Sequence, residues 1–273
     1  MPPKLGILAG GGTLPRRLIE AACSEGREVF IVGFHGHTDP ETILNTDHIV
    51  VRLGAAGTAI KALKAAGVAD LVMAGHIRRP SLFELRPDWR VARFFARAGL
   101  AALGDDGLLK AVRAELEEEG FRLLGPQDIM KSLLTPAGLL SSTKPDAAAE
   151  SDINRGIAVL TALAPLDVGQ AVIVQQGLVL GIEAIEGTEQ LVRRAGEVRR
   201  DGQGGVLIKI SKAQQDDRLD LPTIGPDTVR QCKAAGLRGI ALEAGRSLLL
   251  DRTATIQAAN DAGLFILAVE LHA

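Results

Sequence analysis

The chain has 273 residues, of which 47% are hydrophobic and 23% are charged, and its formal net charge is −2. This composition is typical of a globular protein with one large domain or two ordinary ones. The absence of a basic excess argues against general nucleic-acid binding, and aromatic residues, at 3%, are too scarce for base-stacking surfaces.

Cys23 and Cys232 lie in predicted helices, and we interpret them as reduced core residues rather than metal ligands. The N-terminus lacks the pattern of a signal peptide, and charges or glycines interrupt every apolar run before it reaches the length of a membrane span. We therefore predict a cytoplasmic protein with no nucleic-acid partner.

The first half of the chain begins with the pattern of a Rossmann-like domain. A strand at 5–9 is followed by the glycine turn Gly10-Gly11-Gly12-Thr13-Leu14-Pro15, a helix over 15–25 and a strand at 29–32. The dinucleotide fingerprint is incomplete, because Pro15 takes the place of its third glycine and no acidic residue ends the second strand. The backbone amides of 11–13 can cradle a phosphate at the helix N-terminus, and a purely structural turn is the alternative.

A second candidate segment follows the fourth predicted strand. A strand at 48–52 and a helix at 57–66 precede this strand, 71–74, which ends in Gly75-His76-Ile77-Arg78-Arg79-Pro80. A histidine and two arginines at the carboxyl end of a strand are well placed to bind an anion. The alternative is that these charged side chains are only solvated surface residues and bind no ligand.

An acidic pair and a composition change complete the first half. Helices are predicted over 94–103 and 108–119, and Asp105-Asp106 between them either N-caps the second helix or binds a metal or a sugar. A strand at 121–124 and a short helix to 134 follow. Residues 135–152 are rich in Pro, Ser, Thr and Ala and predict a linker, so we place domains at 1–134 and 153–273. Lys144 in this linker is a candidate contact.

The second half predicts a mixed α/β domain, because hairpin and helix patterns alternate in it. The predicted helices cover 153–164, 188–195, 226–235 and 253–262, the second of them capped by Thr188. The predicted strands cover 171–175, 178–183, 204–210, 239–243, 247–251 and 265–269.

The stretch KISKAQQDDRLDLPTIGPDT at 209–228 carries the densest chemistry of the chain. Carboxylates at Asp216, Asp217 and Asp220 suit a hard cation such as Mg²⁺, and the interleaved Lys209 and Arg218 suit a phosphate. A solvated, salt-bridged loop is the alternative. Two prolines and a glycine directly after Asp220 hold one specific backbone path, which favours a binding loop.

The segment QDDRLDLPTIGPDT resembles the signature loop of the LpxI-type UDP-2,3-diacylglucosamine pyrophosphatases. Five further segments in the same order carry the resemblance: GGGTLP at 10–15, GHIRRP at 75–80, GDD at 104–106, DVGQ at 167–170 and EAIEGT at 183–188.

The resemblance implies a fold, an activity and partners. It implies two α/β domains with a lipid-linked UDP-sugar in the cleft between them, and a homodimer. The implied reaction of lipid A synthesis yields UMP and 2,3-diacylglucosamine 1-phosphate, with Mg²⁺ as cofactor and Mn²⁺ as its substitute. Such a substrate also implies transient contact with the inner membrane surface.

The resemblance implies that Asp220 is catalytically essential, and together with the chemistry of the residues it gives three groups of expected site residues. The catalytic candidates are Asp220, Arg218 and Asp217, with Asp220 acting either as a metal ligand or as the general base. The metal candidates are Asp220, Asp105 and Asp106. The substrate-binding candidates are Gly10, Gly11, Gly12, Thr13, Leu14, His76, Arg78, Arg79, Lys144, Glu186, Gly187, Thr188, Lys209, Gln215 and Thr223.

Two other functions remain open from the residues alone. The Rossmann-like first half is compatible with an NAD-dependent oxidoreductase, although its fingerprint is incomplete. A non-catalytic nucleotide-sugar binding protein would also use the same loops.

Overall fold

The computed structural model describes residues 2–78, 88–89, 91, 105–212, 218 and 221–271, without the side chains of Asp105 and Asp106. The chain divides into two compact units, Met1–Lys131 and Ser132–Ala273. Each unit combines helices with a β-sheet, which confirms the predicted α/β class. In the described part of the chain, no helix combines the length and apolar character needed to cross a bilayer.

The first unit is a parallel sheet in the order β3-β2-β1-β4-β5. Its strands are β1 (Leu5–Ala9), β2 (Val29–Phe34), β3 (His48–Val51), β4 (Asp70–Ala74) and β5 (Arg122–Leu124). Its described helices are α1 (Leu14–Ser24), α2 (Pro40–Ile43), α3 (Ala56–Ala65), α4 (Asp105–Glu118) and α5 (Pro126–Ile129). This strand order confirms the Rossmann-like prediction and puts the reversal of connection between β1 and β4.

Sequence patterns explain these elements directly. The strands of a parallel sheet are covered on both faces, and β1 is accordingly buried at Leu5, Ile7 and Ala9 on one face and buried or half-buried at Gly6 and Leu8 on the other. In α1 the buried residues Leu14, Leu18 and Ala22 recur every fourth position, which gives one apolar stripe toward the sheet. Pro15 fits the first turn of this helix, where its missing N–H costs no hydrogen bond.

The second unit is built on a mixed six-stranded sheet in the order β6-β13-β11-β9-β7-β8, with a small parallel pair, β10 and β12. The strands are β6 (Gly138–Leu139), β7 (Ala171–Gln175), β8 (Leu178–Ile182), β9 (Val206–Lys209), β10 (Thr223–Ile224), β11 (Gly239–Glu243), β12 (Leu248–Leu249) and β13 (Phe265–Val269). The helices are α6 (Ala147–Leu163), α7 (Gly187–Glu197), α8 (Pro226–Ala234) and α9 (Arg252–Ala262), with 3₁₀ turns at Lys131–Leu133 and Ala164–Leu166.

Strand directions give this sheet two chemically different edges. Strands β9, β11 and β13 run parallel, β7 runs antiparallel to β9, and β8 runs antiparallel to β7. The ends of β8, β9, β11 and β13 therefore meet the start of β7 at one edge, which we call the carboxyl edge of the second sheet. The opposite edge, where β9, β11 and β13 begin, is its amino edge.

The segment 135–152 is structured within the second unit. It contains β6, which pairs with β13, and the start of α6. Asp146 begins that helix because its carboxylate accepts a 2.9 Å hydrogen bond from the Ala149 N–H. Strand and helix thus occupy a segment whose composition alone indicated a linker, and the units divide at 131–132 rather than at 134.

Three local predictions are wrong. Thr188 does not cap α7, because the helix begins at Gly187 and the Thr188 hydroxyl donates to Glu183 instead. Asp105 and Asp106 lie within helix α4 and do not precede it as caps. Cys23 is exposed on the outer face of α1, whereas Cys232 is buried as expected. The helix predicted over 94–103 lies outside the described residues.

Candidate active site

In the first unit, the glycine turn and the histidine segment meet at the carboxyl ends of β1 and β4. Gly11 and His76 exchange two backbone hydrogen bonds of 2.9 and 3.0 Å, and the Gly10 N–H donates to the Ala74 carbonyl at 2.8 Å. A Cβ on Gly10 would lie 2.5 Å from the His76 carbonyl oxygen, so only glycine fits this crossing. The structure thus brings two separately predicted segments together.

Two of the three amides predicted to cradle a phosphate have protein partners. The Gly11 N–H donates to the His76 carbonyl, and the Gly12 N–H donates to Oδ2 of Asp39 at 2.7 Å. A carboxylate therefore occupies an anion position beside the helix N-terminus. Thr13 is exposed at this turn, whereas Leu14 is buried in the core of α1, which leaves little of its side chain for a substrate contact.

The histidine segment presents its charged groups outward. His76 and Arg78 are both exposed beyond the end of β4, as an anion-binding role requires. Arg79 lies outside the described residues.

The second unit gathers a buried polar network at its carboxyl edge. Lys209, the last residue of β9, is 4% exposed, and its ammonium donates to the Thr188 hydroxyl at 2.9 Å and to the Thr223 carbonyl at 3.2 Å. The Thr188 hydroxyl donates in turn to Glu183 Oε1 at 2.6 Å, and Glu183 Oε2 accepts from the Gln170 N–H at 3.2 Å. Three predicted site residues, Lys209, Thr188 and Thr223, are therefore in direct contact.

The burial of Lys209 changes the interpretation of its role. We predicted this ammonium as a diphosphate contact, but it is bound to two protein oxygens and is almost inaccessible to solvent. Glu183, 7% exposed, supplies a negative charge one hydroxyl away. The arrangement holds the ends of β8, β9 and β10 together, so we interpret it as a structural network and not as a substrate contact. We call this Lys209–Thr188–Glu183 network, with its bond to Thr223, the brace.

Glu186 and Gly187 lie beside this network at the start of α7. Glu186 accepts a 2.8 Å hydrogen bond from Arg194, and Gly187 adopts a positive φ of 78°. Burial opposes ionisation of Glu186, but backbone hydrogen bonds and Arg194 outweigh it and lower the pKa of this carboxyl group. Glu186 thus remains ionised in its ion pair.

A second buried carboxylate lies at the same edge and was not among the site residues predicted from the sequence. Glu243 ends β11, and its Oε2 accepts hydrogen bonds from the Ser211 N–H at 2.8 Å and from the Ser211 hydroxyl at 2.6 Å. Lys212, the next residue, is ion-paired with Asp167. The only signal for Glu243 in the sequence was an acidic residue at the end of an otherwise apolar strand.

The segment 210–222 between β9 and β10, which we call the acidic loop, leaves the sheet from this edge. Arg218 is half-buried, while Asp217, Asp220 and Gln215 lie outside the described residues. Their predicted catalytic, metal and substrate roles therefore stay predictions, as do the metal roles of Asp105 and Asp106. Among the side chains that the structure describes, no group of three His, Cys, Asp or Glu residues is placed to hold a metal ion.

Lys144 lies away from the other candidates of its unit. It lines a shallow pocket of about 260 Å³ together with Asp146, Gln203, Arg238 and Phe265, all of which lie at the amino edge of the second sheet. The acidic loop begins at the opposite edge. The structure therefore does not bring Lys144 to Lys209, Thr188 or Thr223.

Comparisons with known proteins cover both units. Residues 4–133 match the family described as LpxI N-terminal domain, and residues 136–267 match the family described as LpxI C-terminal domain. A protein of Caulobacter vibrioides named UDP-2,3-diacylglucosamine pyrophosphatase LpxI is 38% identical over 274 residues, which cover 98% of each chain. A solved structure titled CobK precorrin-6A reductase covers 99% of this chain and 89% of its own at 12% identity, but its TM-score of 0.37 is too low to support an inference.

Proposed function

This chain belongs to the LpxI family, and we propose on that basis that it hydrolyses the pyrophosphate bond of UDP-2,3-diacylglucosamine, releasing UMP and 2,3-diacylglucosamine 1-phosphate. The observation that carries the proposal is the end-to-end similarity to a relative that bears this activity in its name. The motifs that suggested the family from the sequence lie in both matched halves, so the predicted resemblance is confirmed.

The chemistry requires in-line attack of water on one phosphorus and neutralisation of the charge on the phosphate oxygens. We assign Asp220 as the residue that binds the metal ion or accepts the proton of the attacking water. Arg218 and the exposed His76 and Arg78 supply positive or hydrogen-bonding groups for the diphosphate. Lys209, Thr188 and Thr223 support the site without contacting the substrate. Their contacts hold the end of β9, where the acidic loop starts, and the start of β10, where it ends.

The predicted donors for a cation are carboxylates, which fits Mg²⁺ or Mn²⁺ and not a metal that prefers sulfur or imidazole. Asp220, Asp105 and Asp106 are the residues proposed to hold it. Once bound, such a cation polarises a phosphoryl oxygen and lowers the pKa of a bound water. The described carboxylates Glu183 and Glu243 already accept hydrogen bonds from protein donors, so we do not include them among the ligands.

A lipid-linked substrate also bears on the partners of the protein. We propose a cytoplasmic homodimer that touches the membrane surface transiently. Leu166, Val168 and Ile185 support the membrane contact, because these apolar side chains are exposed in the two loops that meet at the carboxyl edge of the second sheet. Light scattering of the purified protein tests the dimer, and co-sedimentation with phospholipid vesicles tests the membrane contact.

The direct test is product analysis with the full-length protein. Incubation with UDP-2,3-diacylglucosamine and Mg²⁺ should yield UMP and the lipid phosphate in equal amounts, detected by mass spectrometry. Excess EDTA should abolish turnover, and added Mg²⁺ or Mn²⁺ should restore it. Unchanged substrate in the presence of Mg²⁺ would refute the activity, whereas full turnover in chelator would refute only the metal requirement. Reduction of NAD in a parallel incubation to which NAD is added would favour the oxidoreductase alternative.

A further inference from the structure

Glu243 is a buried carboxylate in the second unit to which the proposed mechanism gives no role. It is 5% exposed and ends β11, next to the end of β9. Burying a carboxylate is unfavourable unless hydrogen bonds or a positive charge compensate. Glu243 lies at the carboxyl edge, beside the start of the acidic loop, where its hydrogen bonds can hold that end of the loop.

Among the described residues, the two shortest contacts of the Glu243 carboxylate go to one residue. Ser211 donates both its backbone N–H and its hydroxyl to Oε2, at 2.8 and 2.6 Å, from a position 32 residues away in the chain. Arg246 approaches Oε1 at 3.5 Å. Because one bond comes from the backbone N–H and the other from the hydroxyl, Glu243 holds both the backbone and the side chain of Ser211. We call the Glu243–Ser211 contact the upstream anchor.

A second contact holds the other end of the same segment. Lys209 donates to the Thr223 carbonyl, and β10, which contains Thr223, pairs with β12. The Leu248 N–H also donates to the Pro222 carbonyl at 2.8 Å. We call the Lys209–Thr223 contact the downstream anchor. The two anchors hold residues 211 and 223, which bracket the proposed catalytic Asp220.

We propose that Glu243 is a positioning residue for the hydrolytic reaction: through Ser211 it holds the point at which the chain leaves β9 toward the proposed catalytic Asp220. The inference rests on the proposed function, since it assigns Glu243 a role in that same site. A catalytic group must be held within a fraction of an ångström, and displacement by about 1 Å can cost about 100-fold in rate. Removing a side chain that holds the first residues of a catalytic loop is therefore expected to lower kcat.

Helix α6 of the same unit contains a matched control for this role. Asp152 is 3% exposed, and its carboxylate accepts two backbone hydrogen bonds, from Gln176 at 3.1 Å and from Gly177 at 2.7 Å. Those residues form the β7–β8 hairpin turn at the amino edge, away from the acidic loop. Asp152 and Glu243 are thus both buried carboxylates that accept two close hydrogen bonds, and their acceptor positions lie at opposite edges of the sheet.

The experiment compares Glu243→Ala, Glu243→Gln and Asp152→Ala in the full-length protein. The melting temperature of each variant is measured first. The kinetic constants kcat and KM are then measured well below the lowest melting temperature, so that every variant is folded. We expect both alanine variants to melt lower than wild type. Only Glu243→Ala should lose kcat, by at least about tenfold with a smaller change in KM, because loop placement affects the transition state. Glu243→Gln, which keeps an acceptor oxygen near Ser211, should recover most of the rate.

Two outcomes would overturn the proposal. One is a folded Glu243→Ala variant with the kcat of wild type, and the other is an equal loss of kcat in Asp152→Ala, which would reveal a general structural effect. Limited trypsin digestion provides a readout independent of activity, since Lys212 and Arg218 are cleavage sites within the loop. Cleavage there should accelerate in Glu243→Ala and not in Asp152→Ala. If wild type fails to turn over the substrate, the proposed function fails, while the digestion still decides whether Glu243 holds the loop.

Discussion

Replacing Lys209 with methionine tests the brace at the carboxyl edge of the second sheet. The change keeps most of the side-chain length and removes the ammonium, which donates to the Thr188 hydroxyl and the Thr223 carbonyl. Glu183 then becomes a buried carboxylate without the positive charge that lay one hydroxyl away, although it retains its bonds from Thr188 and Gln170. The variant is therefore expected to lose stability as well as loop placement.

The magnitude follows from the burial and the number of contacts. Removing one partner of a buried ion pair costs about 3–5 kcal/mol. Because Glu183 and Lys209 are separated by the Thr188 hydroxyl and Glu183 keeps two donors, we expect the lower limit, about 3 kcal/mol. For a unit of this size, that loss lowers the melting temperature by roughly 6–12 °C.

The assay is thermal unfolding of Lys209→Met beside a matched surface variant and a double variant. Lys233→Met is the matched control, because Lys233 is exposed and its ammonium donates to a single carbonyl, that of Ala262. It should change stability by less than about 1 kcal/mol. Adding Glu183→Gln to Lys209→Met removes both buried charges and should cost at least about 1 kcal/mol less than the sum of the single changes. A Lys209→Met protein that melts with wild type, or strictly additive costs, would refute the brace.

Three further outcomes are expected. Asp220→Ala should lower kcat about 100-fold or more while substrate binding and the melting temperature are preserved, and wild-type turnover would contradict its role. Burial opposes ionisation of Asp70, but Arg122 and Arg27 outweigh it and lower the pKa of this carboxyl below 3.8. The ionised carboxylate therefore stabilises the fold above that pH, and this stabilisation is lost as the pH falls through the lowered pKa. Asp70→Asn should melt at a lower temperature than wild type at pH 7, and its melting temperature should fall less on acidification. Gly10→Ala should cost about 1–3 kcal/mol, because its Cβ would clash with the His76 carbonyl, and an unchanged melting curve would contradict that crossing.

Much of the fold could be read from neighbouring residues. Apolar runs of strand length, an apolar repeat every fourth residue and glycine at turns predicted the Rossmann-like order of the first unit and most strands of the second. These signals are local, because a helix or strand is stabilised by residues a few positions apart. The prediction failed where no periodicity marks the element, as in the Ala-rich start of α6, whose only signal was the Asp146 cap.

Candidate site residues were recognised from the sequence as types and motifs. The acidic loop, the glycine turn and the histidine segment were identified by their chemistry, and the family they indicated is confirmed by both halves of the chain. Their mutual contacts were not predictable. Gly12 donates to Asp39, 27 residues away, and Ser211 donates to Glu243, 32 residues away.

The amino-acid sequence by itself determined which segments form strands and helices and which loops carry charged chemistry. The tertiary structure decided which of those loops share an edge of a sheet: it brought Lys209 to Thr188 and Glu243 to Ser211, and it placed Lys144 at the opposite edge. The physical reason is that strand order and direction arise from burying whole faces of a sheet at once. No local pattern encodes which strand ends will become neighbours, so a buried carboxylate such as Glu243 acquires its partner only when the sheet is assembled.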